Sequence, residues 1–263
     1  MAAVQTARFA GMLNKVPEIT IAFWVIKIMS TTVGETGADY LAVHVGLGTL
    51  VTDAIMLALL VASLLLQLRA RRYVPWRYWL TVVLISVVGT QITDFLSDTL
   101  DVSLYWSTGV FAVALAVTFA VWYAAERTLS IHTIFTRRRE LFYWTAILFT
   151  FALGTAAGDL ATEALQLGFR FGVVVFGALI AATTLAWYLG ADPVLTFWIA
   201  YVLTRPLGAS LGDLLSQARE YGGLGLGTID TSAAFLAIIV ALVAWLTFSG
   251  VGRPSAAEPA AQD

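Results

Sequence analysis

The 263-residue chain has no cysteine, 2 histidines and few charges, with only 12% of its residues Asp, Glu, Lys or Arg. The absence of cysteine excludes disulfides, thiolate metal sites and cysteine nucleophiles at once. With histidine so scarce, Zn²⁺ and Cu⁺ lack a ligand set, since both favour Cys, His or Met. His132 falls in a basic connection and is expected in water, whereas His44, near the outer end of the first apolar run, is a candidate ligand or proton relay. Catalytic signatures are missing too. There is no His-Glu-x-x-His and no Gly-x-Ser-x-Gly, and the Gly-x-Gly-Asp of an intramembrane aspartyl protease is only approached at Gly158-Asp159 and Gly212-Asp213, where Ala156 and Ser210 stand two residues before the Gly. The expectation is therefore no enzyme and no cofactor beyond a bound divalent cation. With a formal net charge of −2, no nucleic-acid partner is expected.

What fills the chain is apolar: 59% hydrophobic residues and a mean hydropathy of +0.84. A soluble domain of this length has no use for so much apolar surface, so its partner is the lipid bilayer. Runs near 18–43, 49–68, 77–98, 105–125, 141–164, 170–189, 194–217 and 229–249 each approach the ~20 residues of a span. The expected fold is all-α, a polytopic membrane protein of eight transmembrane helices in a single domain. No cleavable signal peptide is evident. The first sixteen residues read as a short tail and 251–263 as a disordered one. One set of connections, with both termini, carries Arg8, Lys15, Arg69, Arg71, Arg72, Arg77, Arg127, Arg137, Arg138, Arg139 and Arg253, while the opposite set carries Arg170 and Arg219. By the positive-inside rule both termini are expected in the cytoplasm.

Within the apolar runs one pattern returns four times: an aromatic residue, a Trp, nine residues, a Gly, four residues, an Asp. The copies are Phe23-Trp24…Gly34…Asp39, Tyr78-Trp79…Gly89…Asp94, Tyr143-Trp144…Gly154…Asp159 and Phe197-Trp198…Gly208…Asp213. Fixed offsets in otherwise different surroundings mark a true internal repeat. Each repeat holds two spans, at about 17–72, 73–136, 137–191 and 192–250, and the motif lies on the first. An even number of spans makes all four copies parallel, so the motif helices are expected to gather around a pseudo-symmetry axis. The aromatic pairs are expected as interfacial anchors at headgroup depth. The Trp-to-Asp distance is roughly 22 Å along a helix, which sets the Asp in the outer half of the membrane and the Gly near its middle. Gly34, Gly89, Gly154 and Gly208 lie in small-residue seams and are expected to pack helices closely. Pro206 makes a kink credible in the fourth motif helix.

The repeated Asp residues have acidic company. Glu35 precedes Asp39 by four residues, Asp98 follows Asp94 by four and Glu163 follows Asp159 by four, the spacing of side chains on one helical face. Gln217 holds the matching place after Asp213, and Asp53 and Asp230 add acids early in the second and eighth spans. Converging motif helices would bring Asp39, Asp94, Asp159, Asp213, Glu35, Asp98 and Glu163 to one cavity as metal ligands. Such a group is tolerated in low dielectric only with bound cations or bound protons. All-oxygen ligands suit hard cations such as Mg²⁺, Ca²⁺ and Mn²⁺, with Thr31, Thr32, Gln91, Thr155 and Ser210 as supplementary donors. Two basic residues lie in the spans. Lys27 is expected to snorkel to the interface; Arg205 lies deeper, and both are candidates for gating or charge-pairing.

The stretch from Asn14-Lys15-Val16-Pro17-Glu18-Ile19-Thr20 to Thr32-Val33-Gly34-Glu35-Thr36-Gly37-Ala38-Asp39, with the weaker Gly…Asp copies behind it, resembles a bacterial family of uncharacterised membrane-anchored proteins built from a tandem repeat of unknown function. The resemblance implies a small inner-membrane protein and brings no substrate. The carboxylates supply the functional expectation: a membrane transporter of a hard divalent cation exchanged against protons, with both ions as transported partners and self-association into a homo-oligomer compatible with the pattern. The alternative is a non-transporting scaffold or sensor with a structural cation site.

Overall fold

The computed structural model describes residues 14–44 and 49–254, apart from the side chains of residues 38–44 and of Glu163. The expected roles of Asp39, His44 and Glu163, and the expected tails at 1–13 and 255–263, lie outside the described residues. Among the described residues the structure is helical, with no strand. Eight long helices follow in order: α1 Ile21–His44, α2 Thr49–Arg69, α3 Pro75–Asp94, α4 Leu104–Glu126, α5 Arg137–Asp159, α6 Phe169–Tyr188, α7 Pro193–Ser216 and α8 Thr228–Ser249.

Local sequence fixes where these helices begin and end. Pro75 starts α3 at a position whose N–H no helix would use. Ser103, Thr136 and Asp192 cap α4, α5 and α7 by accepting from the backbone N–H of Tyr105, Arg139 and Leu195. Gly250, with φ of 74°, closes α8 in the left-handed conformation that glycine tolerates best. The motif Asp residues of α3 and α5 are each followed directly by a π-helical turn, Phe95–Thr99 and Leu160–Ala164. Despite Pro206, α7 runs as one continuous helix of 24 residues.

Helices α2 to α8 are long and apolar enough to cross a membrane, which defines a multi-pass membrane protein. By length and composition the eight expected spans are thus seven among the described residues. The remaining helix, α1, has 24 residues, about 36 Å at 1.5 Å each, but it carries Lys27, Glu35 and Asp39 in its length.

The motif helices pack on one another in a closed cycle: α1 on α3, α3 on α5, α5 on α7, and α7 back on α1. The plainer helices cover this ring from outside, and each is handed forward. Helix α2 packs chiefly on α3, α4 on α5, α6 on α7, and α8 returns to α1. Helix α1 barely touches α2, its own hairpin partner. The contact of α8 with α1 is fixed in part by Ser232 and Thr36, whose hydroxyls lie 2.6 Å apart.

Candidate functional site along the ring

The four motif glycines mark the closest approaches in the ring. A Cβ added to Gly34 would fall 1.8 Å from Ser86 Oγ, one at Gly89 2.8 Å from Phe151 Cβ, one at Gly154 2.4 Å from Arg205 Cβ, and one at Gly208 1.8 Å from Thr31 Oγ1. Each glycine therefore receives the residue standing three places before the glycine of the next motif helix. The recipients (Thr31, Ser86, Phe151 and Arg205) are equivalent in position and unlike in chemistry. Hydroxyls reinforce the seams: Thr31 and Thr32 Oγ1 donate to the carbonyls of Thr204 and Gly208, and Thr93 Oγ1 to that of Ala152, each at 3.2 Å.

At the Trp end of the ring, the expected headgroup anchors turn inward. Phe23, Tyr78, Trp79, Tyr143, Trp144, Phe197 and Trp198 are buried. Within each repeat the two rings touch edge to face at 5.1–5.2 Å. Between repeats the first aromatic of one meets the Trp of the next, Phe23 with Trp79 at 5.5 Å, Tyr78 with Trp144 at 5.5 Å, Tyr143 with Trp198 at 6.3 Å and Phe197 with Trp24 at 5.7 Å. The eight rings form an unbroken collar. The interfacial reading fails because helices drawn together by glycine leave room for these rings only against each other.

Beneath the collar runs the segment expected to be a tail. Asn14, Lys15 and Val16 are buried. Lys15 Nζ lies 2.6 Å from Glu140 Oε2 and donates to the Leu68 carbonyl at 3.3 Å. Gln67 Nε2 donates to Glu140 Oε1, and Asn14 Nδ2 to the Ile131 carbonyl. A fully buried ion pair persists only when its remaining polar valences are met, and here α2 meets them through Gln67 and the Leu68 carbonyl.

Inside the ring lie two buried basic side chains. Lys27 is 1% exposed, so the expected snorkelling does not occur. Its place on α1 points it into the ring, where Nζ stands 3.8 Å from the centroid of Phe151 and 4.3 Å from that of Tyr201. Nζ has no hydrogen-bond partner. Arg205 is 0% exposed. It leaves α7, passes the face of α5 opened by Gly154, and donates to Glu35 Oε2 at 2.7 Å, to the Thr31 carbonyl at 3.3 Å and to Thr90 Oγ1. All four motif helices thus touch one guanidinium-bearing side chain. Thr90, Phe151 and Tyr201 were not singled out from the sequence, since each looks like ordinary helix filling until the ring is assembled.

Toward the Asp end, Asp213 is buried at 6% exposure, Asp94 and Asp159 are half-buried, and Asp98 is exposed, accepting from Ser97 Oγ at 2.8 Å. Glu35 is paired with Arg205. Among the described residues, no three of His, Cys, Asp and Glu lie together in a way that would hold a metal ion.

This is a multi-pass membrane protein assembled from repeated helical hairpins. The chain belongs to the family described as a repeat of unknown function (DUF347), whose pattern matches residues 22–73, 77–128, 142–191 and 196–251. A comparison with curated proteins and with solved structures finds no match.

Proposed function

We propose that the protein is a transporter of a hard cation, a divalent metal such as Mn²⁺, Mg²⁺ or Ca²⁺, exchanged against protons. In this reading it sits in a bacterial inner membrane as four parallel hairpins about a pseudo-fourfold axis, with both termini cytoplasmic. The collar then closes the cytoplasmic end, and the motif carboxylates are approached from outside. The observation that carries the reading is the Arg205–Glu35 pair at 2.7 Å: a motif-helix carboxylate in the interior of the ring is kept neutralised by a positive group. Ionisable groups at such depth are retained for ion pathways and relays. Asp94, Asp159 and Asp213 receive the cation, with Asp39, Asp98 and Glu163 as further ligands, and no catalytic chemistry is involved.

A second reading has support of its own. Lys27 and Arg205 set two basic side chains together in the interior of the ring, where an anionic cargo would meet N–H groups that have no hydrogen-bond partner. One experiment separates the two. Purified protein in liposomes with an internal pH dye is challenged with a panel of divalent cations, monovalent cations and small carboxylates. Wild-type protein is expected to carry at least one divalent cation with counterflow of protons, and Asp94→Asn and Asp159→Asn to abolish that flux while eluting as the same folded species. Flux of anions alone would select the second reading. Flux unchanged in both variants would remove these Asp residues from the path, and no flux of any ion above that of protein-free liposomes would leave only a scaffold.

A further inference from the structure

We propose that Glu35, Thr90 and the Thr31 carbonyl form a cation-binding station on the axis, and that Arg205 is its tethered occupant, holding the path shut until a free cation takes its place. The proposal rests on the cation-transport reading and names the step that gates it.

The acceptors converge without help from the donor's own helix. Glu35 Oε2 and the Thr31 carbonyl come from α1 and Thr90 Oγ1 from α3, whereas the guanidinium arrives from α7. A carboxylate, a carbonyl and a hydroxyl are the oxygen donors that suit a hard cation or an N–H cation alike. The occupant is incompletely held, for Arg205 Nε is buried without a hydrogen-bond partner. Beside it stands a second tethered basic group, Lys27, whose Nζ rests on the faces of Phe151 and Tyr201 and likewise has no hydrogen-bond partner. Aromatic faces are themselves cation-binding surfaces. A purely structural hub would pair each buried charge and satisfy every N–H, because an unpaired charge in low dielectric is costly. Two basic groups with N–H atoms left over instead describe a ring interior filled by the protein's own side chains. The closed collar directly below agrees with a shut state.

Replacing Arg205 by Ala empties a space shaped for guanidinium, so the guanidinium ion is the probe. In liposomes, the Arg205→Ala protein is expected to leak protons about tenfold faster than wild type, within the usual range of a coupling between two sites. Guanidinium chloride at millimolar concentration is expected to suppress that leak saturably and to raise the variant's Tm, while urea, neutral and of the same shape, does neither. If Arg205→Ala does not fold, Arg205→Lys and Arg205→Gln replace it: the Lys variant stays shut and the Gln variant leaks. A folded Arg205→Ala protein that is as tight as wild type and indifferent to guanidinium, or equal leaks in the Lys and Gln variants, would overturn the proposal. The two readings fail separately: rescue by guanidinium with no wild-type flux sinks transport and keeps the station, whereas wild-type flux without rescue sinks the station alone.

Discussion

At the scale of single residues, the ion pairs of this protein differ in kind. Lys15–Glu140, at 2.6 Å and almost wholly buried, is closed on every side by Gln67 and the Leu68 carbonyl. Removing one partner leaves a buried charge, so Lys15→Ala is expected to destabilise by about 3–5 kcal/mol, read as a lower Tm in detergent. Lys15→Met with Glu140→Leu removes both charges, and most of that loss is expected to return. A double variant as unstable as the single would mean that the pair does more than hold three segments together. Arg205 and Lys27, by contrast, have N–H groups left over, and their position could be read from the sequence only as depth in a span. What they touch could not be read. The residues three before each glycine are Thr, Ser, Phe and Arg, and nothing in four unlike side chains announces that they are equivalent. The repeated Asp is legible at once because its type never changes, whereas Glu35, which pairs with Arg205, lies outside the strict repeat and shows only as an i,i+4 companion of Asp39.

At the scale of helices, the motif spacing predicts the elements well, because a span needs only apolar length and the caps are written in Ser103, Thr136, Asp192 and Pro75. Neighbours are another matter. That α2 leaves its hairpin partner for α3 follows from packing between repeats, which periodicity does not encode. The glycine seams give this level its test. Gly154→Ala sets a methyl 2.4 Å from Arg205 Cβ, and forced overpacking of this sort costs about 1–3 kcal/mol. Gly109, on the outer face of α4, has nothing within 4 Å of an added Cβ. Gly109→Ala is expected to leave Tm unchanged or raise it, and Gly154→Ala to lower it by several degrees. Equal responses would show that close approach is not why the motif keeps glycine.

At the scale of the molecule, the ring joins the two ends of the described chain. Helix α8 covers α1, and the Glu18 N–H donates to the Gly252 carbonyl at 3.0 Å. A permuted chain that links residue 254 to residue 14 and opens between Gly190 and Ala191, at an exposed helix connection, is expected to fold with nearly the parental Tm, since such sites tolerate new termini. Failure of the permutant to fold would argue that α6 and α7 must be inserted as one unit.

The forward handing of the outer helices also has a consequence for biogenesis. Helix α1 waits for α8, and until α8 leaves the ribosome the flank of α1 that carries Thr36 has no cover. A nascent chain stalled short of that point is therefore a natural client for membrane quality control, and emergence of α8 and closure of the fold become a single event.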